Sequence, residues 1–374
     1  MSSSLIAGTA AKIKEFDPSK YNSLVGLDGF VDNIIDVVDK RADAKNYTRV
    51  ETIAQLGERI SRAAGLSSNI ELVVRQQKLG GNGPIMANAL IENGLNVSYI
   101  GCLGSPAPHA VFADMAARCK ACYTLCEPGV TDALEFRDGK VMLGKHQTLK
   151  DVHYERMLEA VGPEKLKNLW ETSNLIALTN WTMLPHQTDI WKRLLKDMHG
   201  VKTPTGAILF IDLADPEKRP AEEIASACKL LMSFRNAHRV VLGVNQKESM
   251  EVGKALGLKF DPDDIEHNAD TLRHALELDG IVIHPTKNAA VSTEKGSAKV
   301  DGPNCANPKL TTGAGDNFNS GFCIGLLAGL EPAELLAAGT ASSGFYVRNG
   351  KSATNAELAG FLSEWSGRVG DESF

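Results

Sequence analysis

The chain has 374 residues, 43% of them hydrophobic and 23% charged, long enough to bury a large core. Its 40 Lys+Arg against 46 Asp+Glu leave a net charge of −6, so no basic field exists to gather nucleic acid or an anionic membrane surface. No apolar run approaches the roughly 18 residues of a membrane span, and the opening MSSSLIAGTAAKIKEF lacks the regions of a secretory signal, so the expected location is cytoplasmic.

In chain order, SLVGL (23–27) reads as a strand buried on both faces. Residues 30–39, 70–78 and 131–146 alternate more weakly and include LEFRDGKVMLGKH, which predicts a hairpin with Asp138-Gly139 as a type I′ turn. These strands interrupt the main pattern and are expected to form a small sheet over its edge. Between the first two, 42–68 is an insertion with a predicted helix near 51–64. KLGGNGPIMANALIENG (78–94) sets Gly80, Gly81 and Gly83 ahead of a helix over 83–93 that Gly94 ends, so a ligand can approach that backbone closely. As a dinucleotide fingerprint it lacks the third glycine.

Further apolar runs at 97–104, 174–178, 207–213, 239–244 and 280–284 alternate with helical patterns such as 185–198, ended by Gly200. That alternation predicts an α/β fold with a doubly wound, mainly parallel sheet flanked by helices, plus a small β-sheet lid. The whole of 1–374 reads as one domain, with lid strands inserted within about 28–40, 70–79 and 130–147. Cys119, Cys122 and Cys126 are spaced like metal ligands, but no second set follows, and seven cysteines in a long chain read as reduced thiols.

Two stretches carry chemistry. VLGVNQKESM (241–250) ends a buried strand with Asn245 and Glu248, at the carboxyl edge where such sheets bind ligands. A carboxylate there suits magnesium through water, and the same pair also reads as a capping box. KLTTGAGDNFNSGFCIGLLAGL (309–330) leads Thr311, Thr312, Gly313, Ala314, Gly315 and Asp316 into an apolar helix. Amides converging at a helix start make an anion hole. Asp316 is then placed to accept the proton of an attacking hydroxyl, or simply caps the helix.

Taken together these motifs resemble the ribokinase-like (PfkB) carbohydrate kinase family. The shared order is Asp32 in GLDGFVDNII, the pair Gly80-Gly81, Asn245-x-x-Glu248, then Gly313-Ala314-Gly315-Asp316, spanning roughly Leu24 to Leu362. The resemblance implies an ATP-dependent, magnesium-requiring kinase acting on a hydroxyl of a small sugar or sugar-like metabolite. It implies Asp316 as general base, with the amides of Gly313, Ala314 and Gly315 holding the transferred phosphoryl. Asp32, Asp28, Gly80, Gly81 and Asn82 would bind the acceptor. Asn245 and Glu248 would order magnesium, with Thr286, Lys287, Thr311 and Thr312 beside the nucleotide. A monovalent cation such as K+ and a homodimer through the lid are further features of some members.

The chain departs from the family pattern in three places. Leu310 stands where an Asp is common, HPTKNAA (284–290) replaces a glycine-containing stretch, and Ile85 replaces a frequent asparagine. Lys287 can substitute for a lost amide contact to phosphate. A nucleoside kinase of the same family, or a catalytically weak ligand-binding sensor, are the alternatives.

Overall fold

A computed structural model describes residues 2–371. Along the chain the strands are β1 (Asn22–Leu27), β2 (Phe30–Arg41), β3 (Tyr47–Arg49), β4 (Leu72–Gly80), β5 (Asn96–Gly101), β6 (Ala121–Thr124) and β7 (Gly129–Phe136). They continue as β8 (Gly139–Lys145), β9 (Leu175–Leu178), β10 (Ile208–Asp212), β11 (Arg239–Val244), β12 (Gly280–Ile283), β13 (Asn288–Thr293) and β14 (Gly296–Asp301).

Nine of them form one sheet in the order β14-β13-β12-β11-β10-β9-β1-β5-β6. The pairings from β12 through to β6 are parallel, and only β13 and β14 at one edge run antiparallel. The interior strands read as unbroken apolar runs because both faces are covered. One face packs against Trp170, Trp191, Leu194 and their neighbours, the other against the helices Asn82–Glu92, Ala314–Leu327 and Pro332–Asn349. From β1 the chain moves to β5 and β6 on one side, then returns to build β9 to β12 on the other. The order therefore reverses beside β1, and the carboxyl ends around it open a crevice.

A second sheet, β3-β2-β7-β8 with β4 also paired to β2, makes the lid. Asp32 lies opposite Thr131, and Thr131 opposite Gly144, so these positions share one face across three strands. The other face carries Ile35, Val37, Leu134 and Phe136, which bury against Leu56 of the helix Ile53–Arg62. The insertion thus supplies the cover that keeps the outer face of a small sheet dry. Its helix starts at a full capping box, Thr52 with Gln55.

The β7–β8 hairpin corrects one expectation. Phe136 pairs with Gly139, so Arg137 and Asp138 are the central residues, and neither has positive φ, which a type I′ turn requires at both. Asp138 instead spends Oδ1 on the Ile53 amide at 3.0 Å, tying the hairpin to the insertion helix. Among the described residues no helix is long and apolar enough to cross a membrane.

Candidate active site

A cleft of about 520 Å³ separates the small sheet from the carboxyl ends of the large one. Each strand end delivers one polar residue there. Asn180 follows β9, Asp212 ends β10, Asn245 follows β11 and His284 follows β12, and all four line the cleft. From the opposite side the small sheet contributes Phe30, Asp32, Thr131 and Met142. A second void, about 10 Å³ between Leu24, Trp170 and Leu194, is apolar and too small for a ligand.

Asp316 sits in the first turn of the helix Ala314–Leu327, whose N-cap is Gly313. Gly313 has φ 88°, and a Cβ there would stand 3.0 Å from Tyr346 Oη, so glycine is required both by conformation and by space. Because the cap is a glycine, Asp316 is not the capping residue. It is 6% exposed and accepts from Asn82 Nδ2 at 3.0 Å. Burial, and then the charge of Asp212, raises its pKa well above the usual carboxylate range. Gly313 and Gly315 line the cleft. Ala314 does not fit the expected anion hole, since its N–H donates to the Thr311 carbonyl at 3.2 Å. Tyr346 Oη donates to the Thr312 carbonyl at 2.8 Å, and Lys140 from the small sheet contacts the Thr312 hydroxyl.

The glycine pair divides its work. At Gly80 a Cβ would fall 2.4 Å from Asp32 Cγ, so this glycine lets the Asp32 carboxylate lie flat against the chain and does not itself reach the cleft. Gly81, at φ 94°, turns the chain into the helix Asn82–Glu92. Asp32 is 8% exposed and hydrogen-bonded to Thr131, and burial raises its pKa. Asp28 is a correction. It lies behind the cleft wall, 0% exposed, and its carboxylate is consumed by the amides of Asn82 and Gly83 and the side chain of Asn180.

On the other side, Asn245 and Glu248 both line the cleft and form the capping box of the helix Gln246–Ala255. Glu248 is 6% exposed and also accepts from the Asp215 amide at 2.8 Å. Thr286 and Lys287 are exposed on the β12–β13 turn, and neither they nor exposed Thr311 is part of the cleft lining. The proline and lysine of HPTKNAA do not bring that turn to the cleft.

Asp212 is a site residue that none of the sequence motifs pointed to. It is 6% exposed and held by the Asn319 side chain at 2.7 Å and the Ala214 amide at 2.9 Å. Burial and the nearby Glu248 charge push its pKa up to about 8. Its signal was present, a carboxylate ending the buried run ILFID. His284, also at a strand end, is a structural aromatic. It stacks on Phe318 at 4.6 Å, and burial lowers its pKa to about 4, so it is neutral.

A cleft that pairs one buried carboxylate at a glycine-capped helix start with a lid bearing another suits transfer of an anionic group to a hydroxyl. A family model described as prokaryotic ketohexokinase matches residues 12–365. A ketohexokinase of Haloferax volcanii is 28% identical over 342 residues, covering 91% of this chain and 90% of the relative. Phosphofructokinase-2 of Escherichia coli superposes with a TM-score of 0.64 at 12% identity, over 93% of this chain and 100% of that one. A ribokinase of Thermotoga maritima gives 0.59 at 16% identity, over 91% and 99%. The chain belongs to the prokaryotic ketohexokinase family, among the ribokinase-like (PfkB) carbohydrate kinases, and is a phosphotransferase with a sugar hydroxyl as acceptor.

Proposed function

We propose that the protein transfers the γ-phosphoryl group of ATP to a hydroxyl of a ketohexose, with Asp316 as general base. The observation that carries this reading is the place of Asp316, buried in the first turn behind Gly313 and at the wall of the cleft facing the small sheet. Burial raises its pKa, and a carboxylate with a raised pKa is the stronger proton acceptor once deprotonated.

The sugar lies between Asp32 and Asn82, whose carboxylate and amide oxygen accept from its hydroxyls. Asp316 takes the proton of the attacking hydroxyl as the oxygen approaches phosphorus. The amides of Gly313 and Gly315, with the positive end of the helix Ala314–Leu327, hold the charge that develops on the transferred group. The small sheet excludes water over the reacting atoms. Such transfer needs positioning and electrostatics and no covalent intermediate.

The donor side has residues suited to a hydrated magnesium ion. Glu248 and Asp212 are buried carboxylates, and the Glu248 charge raises the cost of ionising Asp212, an excess of negative charge that a dication relieves. No group of three ligating side chains is present among the described residues, which fits an ion held mainly by water and phosphate oxygens. Glu248, with Asn245 beside it, would hold that ion through water. Bound there, it supplies charge neutralisation for the donor phosphates.

A homodimer through the lid is part of the same proposal. Leu72 and Val74 on β4, and Met142 and Leu143 on β8, are more than two-fifths exposed on strands that each have one partner, which leaves apolar edges to cover.

The test is a coupled assay of ADP release with ATP and magnesium across ketohexoses, aldoses, sugar phosphates and nucleosides. Turnover confined to ketohexoses supports the proposal. Turnover with nucleosides alone, or none with any acceptor, overturns it.

A further inference from the structure

The Asp28 carboxylate does not reach the cleft, yet it anchors a chain of hydrogen bonds that ends on the base. Its Oδ2 accepts from the Asn82 backbone N–H at 2.9 Å and from Asn180 Nδ2 at 2.7 Å, and its Oδ1 accepts from the Gly83 N–H at 2.8 Å. From the turn so fixed, Asn82 Nδ2 donates to Asp316 Oδ1 at 3.0 Å. We propose that Asp28 and Asn82 are positioning residues for the base, Asp28 by locking the turn that carries Asn82, and Asn82 by holding Asp316 Oδ1 so that the other oxygen is left for the acceptor hydroxyl. This rests on the reading of Asp316 given above.

Several features of the backbone serve this chain of contacts. Asn180 is left-handed, with φ 60°, in the turn after β9, where its own Oδ1 accepts from the Met183 amide at 3.3 Å and its Nδ2 reaches Asp28. At Gly83 a Cβ would fall 2.6 Å from Asp28 Oδ1 and 2.5 Å from Tyr99 Oη, so no side chain fits between the helix start and the carboxylate. Tyr99 Oη in turn donates to the Asp28 carbonyl at 2.6 Å. Burying a carboxylate is costly, and here burial raises Asp28 to about 6 even with these donors. Three segments that are distant in sequence, after β1, at the start of the helix Asn82–Glu92 and after β9, thus meet on one carboxylate. The product of that meeting is a fixed amide pointing at Asp316.

The consequence is separable from sugar binding. A sugar ligand acts on the affinity for sugar, whereas a holder of the base acts on the chemical step. The titratable groups around Asp316 are Asp212, Asp28, Tyr346 and His284. The two aspartates disfavour its charged form, and the Asn82 amide is the side-chain donor that favours it. Losing that donor raises the pKa of Asp316. A base works when deprotonated, so the acidic limb of kcat against pH moves to higher pH.

The experiment measures kcat, KM for the ketohexose and the pH profile of kcat for wild type, Asn82→Ala and Asp28→Asn. Asn82→Ala is expected to lower kcat roughly 10- to 100-fold, the scale on which a misplaced reacting group is felt. KM for the sugar should rise as well, because Asn82 Oδ1 also faces its hydroxyls, and the acidic limb should move upward. Asp28→Asn, which leaves the lining of the cleft unaltered, should shift kcat and the limb in the same direction. A raised KM with kcat and limb unmoved in Asn82→Ala would leave Asn82 a sugar ligand alone and overturn the proposal. So would a folded Asp28→Asn enzyme indistinguishable from wild type. If Asp28→Asn fails to fold by circular dichroism, Asn82→Ala decides alone. A wild type inert toward every ketohexose would sink the assigned function along with this inference, whereas active wild type with unaffected variants sinks only the inference.

Discussion

Asp212→Asn should make the protein more stable, increasingly so as pH rises. Asp212 is 6% exposed at the end of β10, with its pKa raised from an ordinary 3.8 to about 8, first by burial and second by Glu248. A carboxylate whose folded pKa lies above its unfolded value favours folding at low pH. That contribution is lost as pH climbs from the unfolded value through the folded one. A pKa that differs by one between the folded and unfolded chain corresponds to about 1.36 kcal/mol, so the full cost of Asp212 has a ceiling of roughly 6 kcal/mol above pH 8. Glu248 and Asp316 share this repulsion, and about half the ceiling, roughly 3 kcal/mol, is the expected gain.

Asparagine fits the site. It keeps an oxygen for the Ala214 amide, and once the Asn319 side-chain amide flips, its new N–H₂ donates to Asn319 Oδ1, a buried acceptor without a partner among the described residues. The assay is thermal unfolding of both proteins in EDTA at low salt, from about pH 5.5 to 8.5. At roughly 2.1 cal/mol/K of unfolding entropy per residue, a chain this long moves about 1 °C in Tm per kcal/mol. The difference in Tm should therefore widen by roughly 2 to 3 °C across that range. A gap that stays flat, or narrows, would refute the reasoning.

Two further substitutions test the turn behind Asp316 and the 284–290 turn. Gly83→Ala drives a methyl into Tyr99 Oη and Asp28 Oδ1, both buried, and should cost about 1–3 kcal/mol in chemical denaturation. Lys287→Ala should leave Tm within about 1 °C and KM for ATP within about threefold, because Lys287 is exposed outside the cleft lining; a larger rise in KM would return the 284–290 turn to the donor site.

The large sheet was readable because its strands are buried on both faces, and burial on both faces writes an apolar run such as RVVLGV directly into the chain. The GAGD helix start was readable for a similar reason, since a left-handed cap demands glycine and a carboxylate at the head of an apolar helix is costly to bury without a task. What escaped depends on partners far away in sequence. Asp28 and Asp32 look alike four residues apart, and only the arrival of Asn82, Gly83 and Asn180 sends one inward and leaves the other to the cleft. Asp212 is one carboxylate at a strand end, and its importance comes from Glu248 and Asn319, which the fold brings from 36 and 107 residues away. The hairpin turn was misassigned because Asp-Gly is a strong local signal, while the register set by β7 against β8 moves the turn back by one residue.

The central claim is that Asp316 removes the proton from the acceptor hydroxyl, and the direct measurement is single-turnover phosphoryl transfer to a ketohexose by wild type and Asp316→Asn, with sugar binding measured calorimetrically on the same samples. Loss of general-base help is worth roughly 10² to 10⁴ in rate, so the variant should bind the sugar within a few-fold of wild type and transfer at least about 100-fold more slowly. Transfer at close to the wild-type rate with sugar bound would contradict the assignment of Asp316.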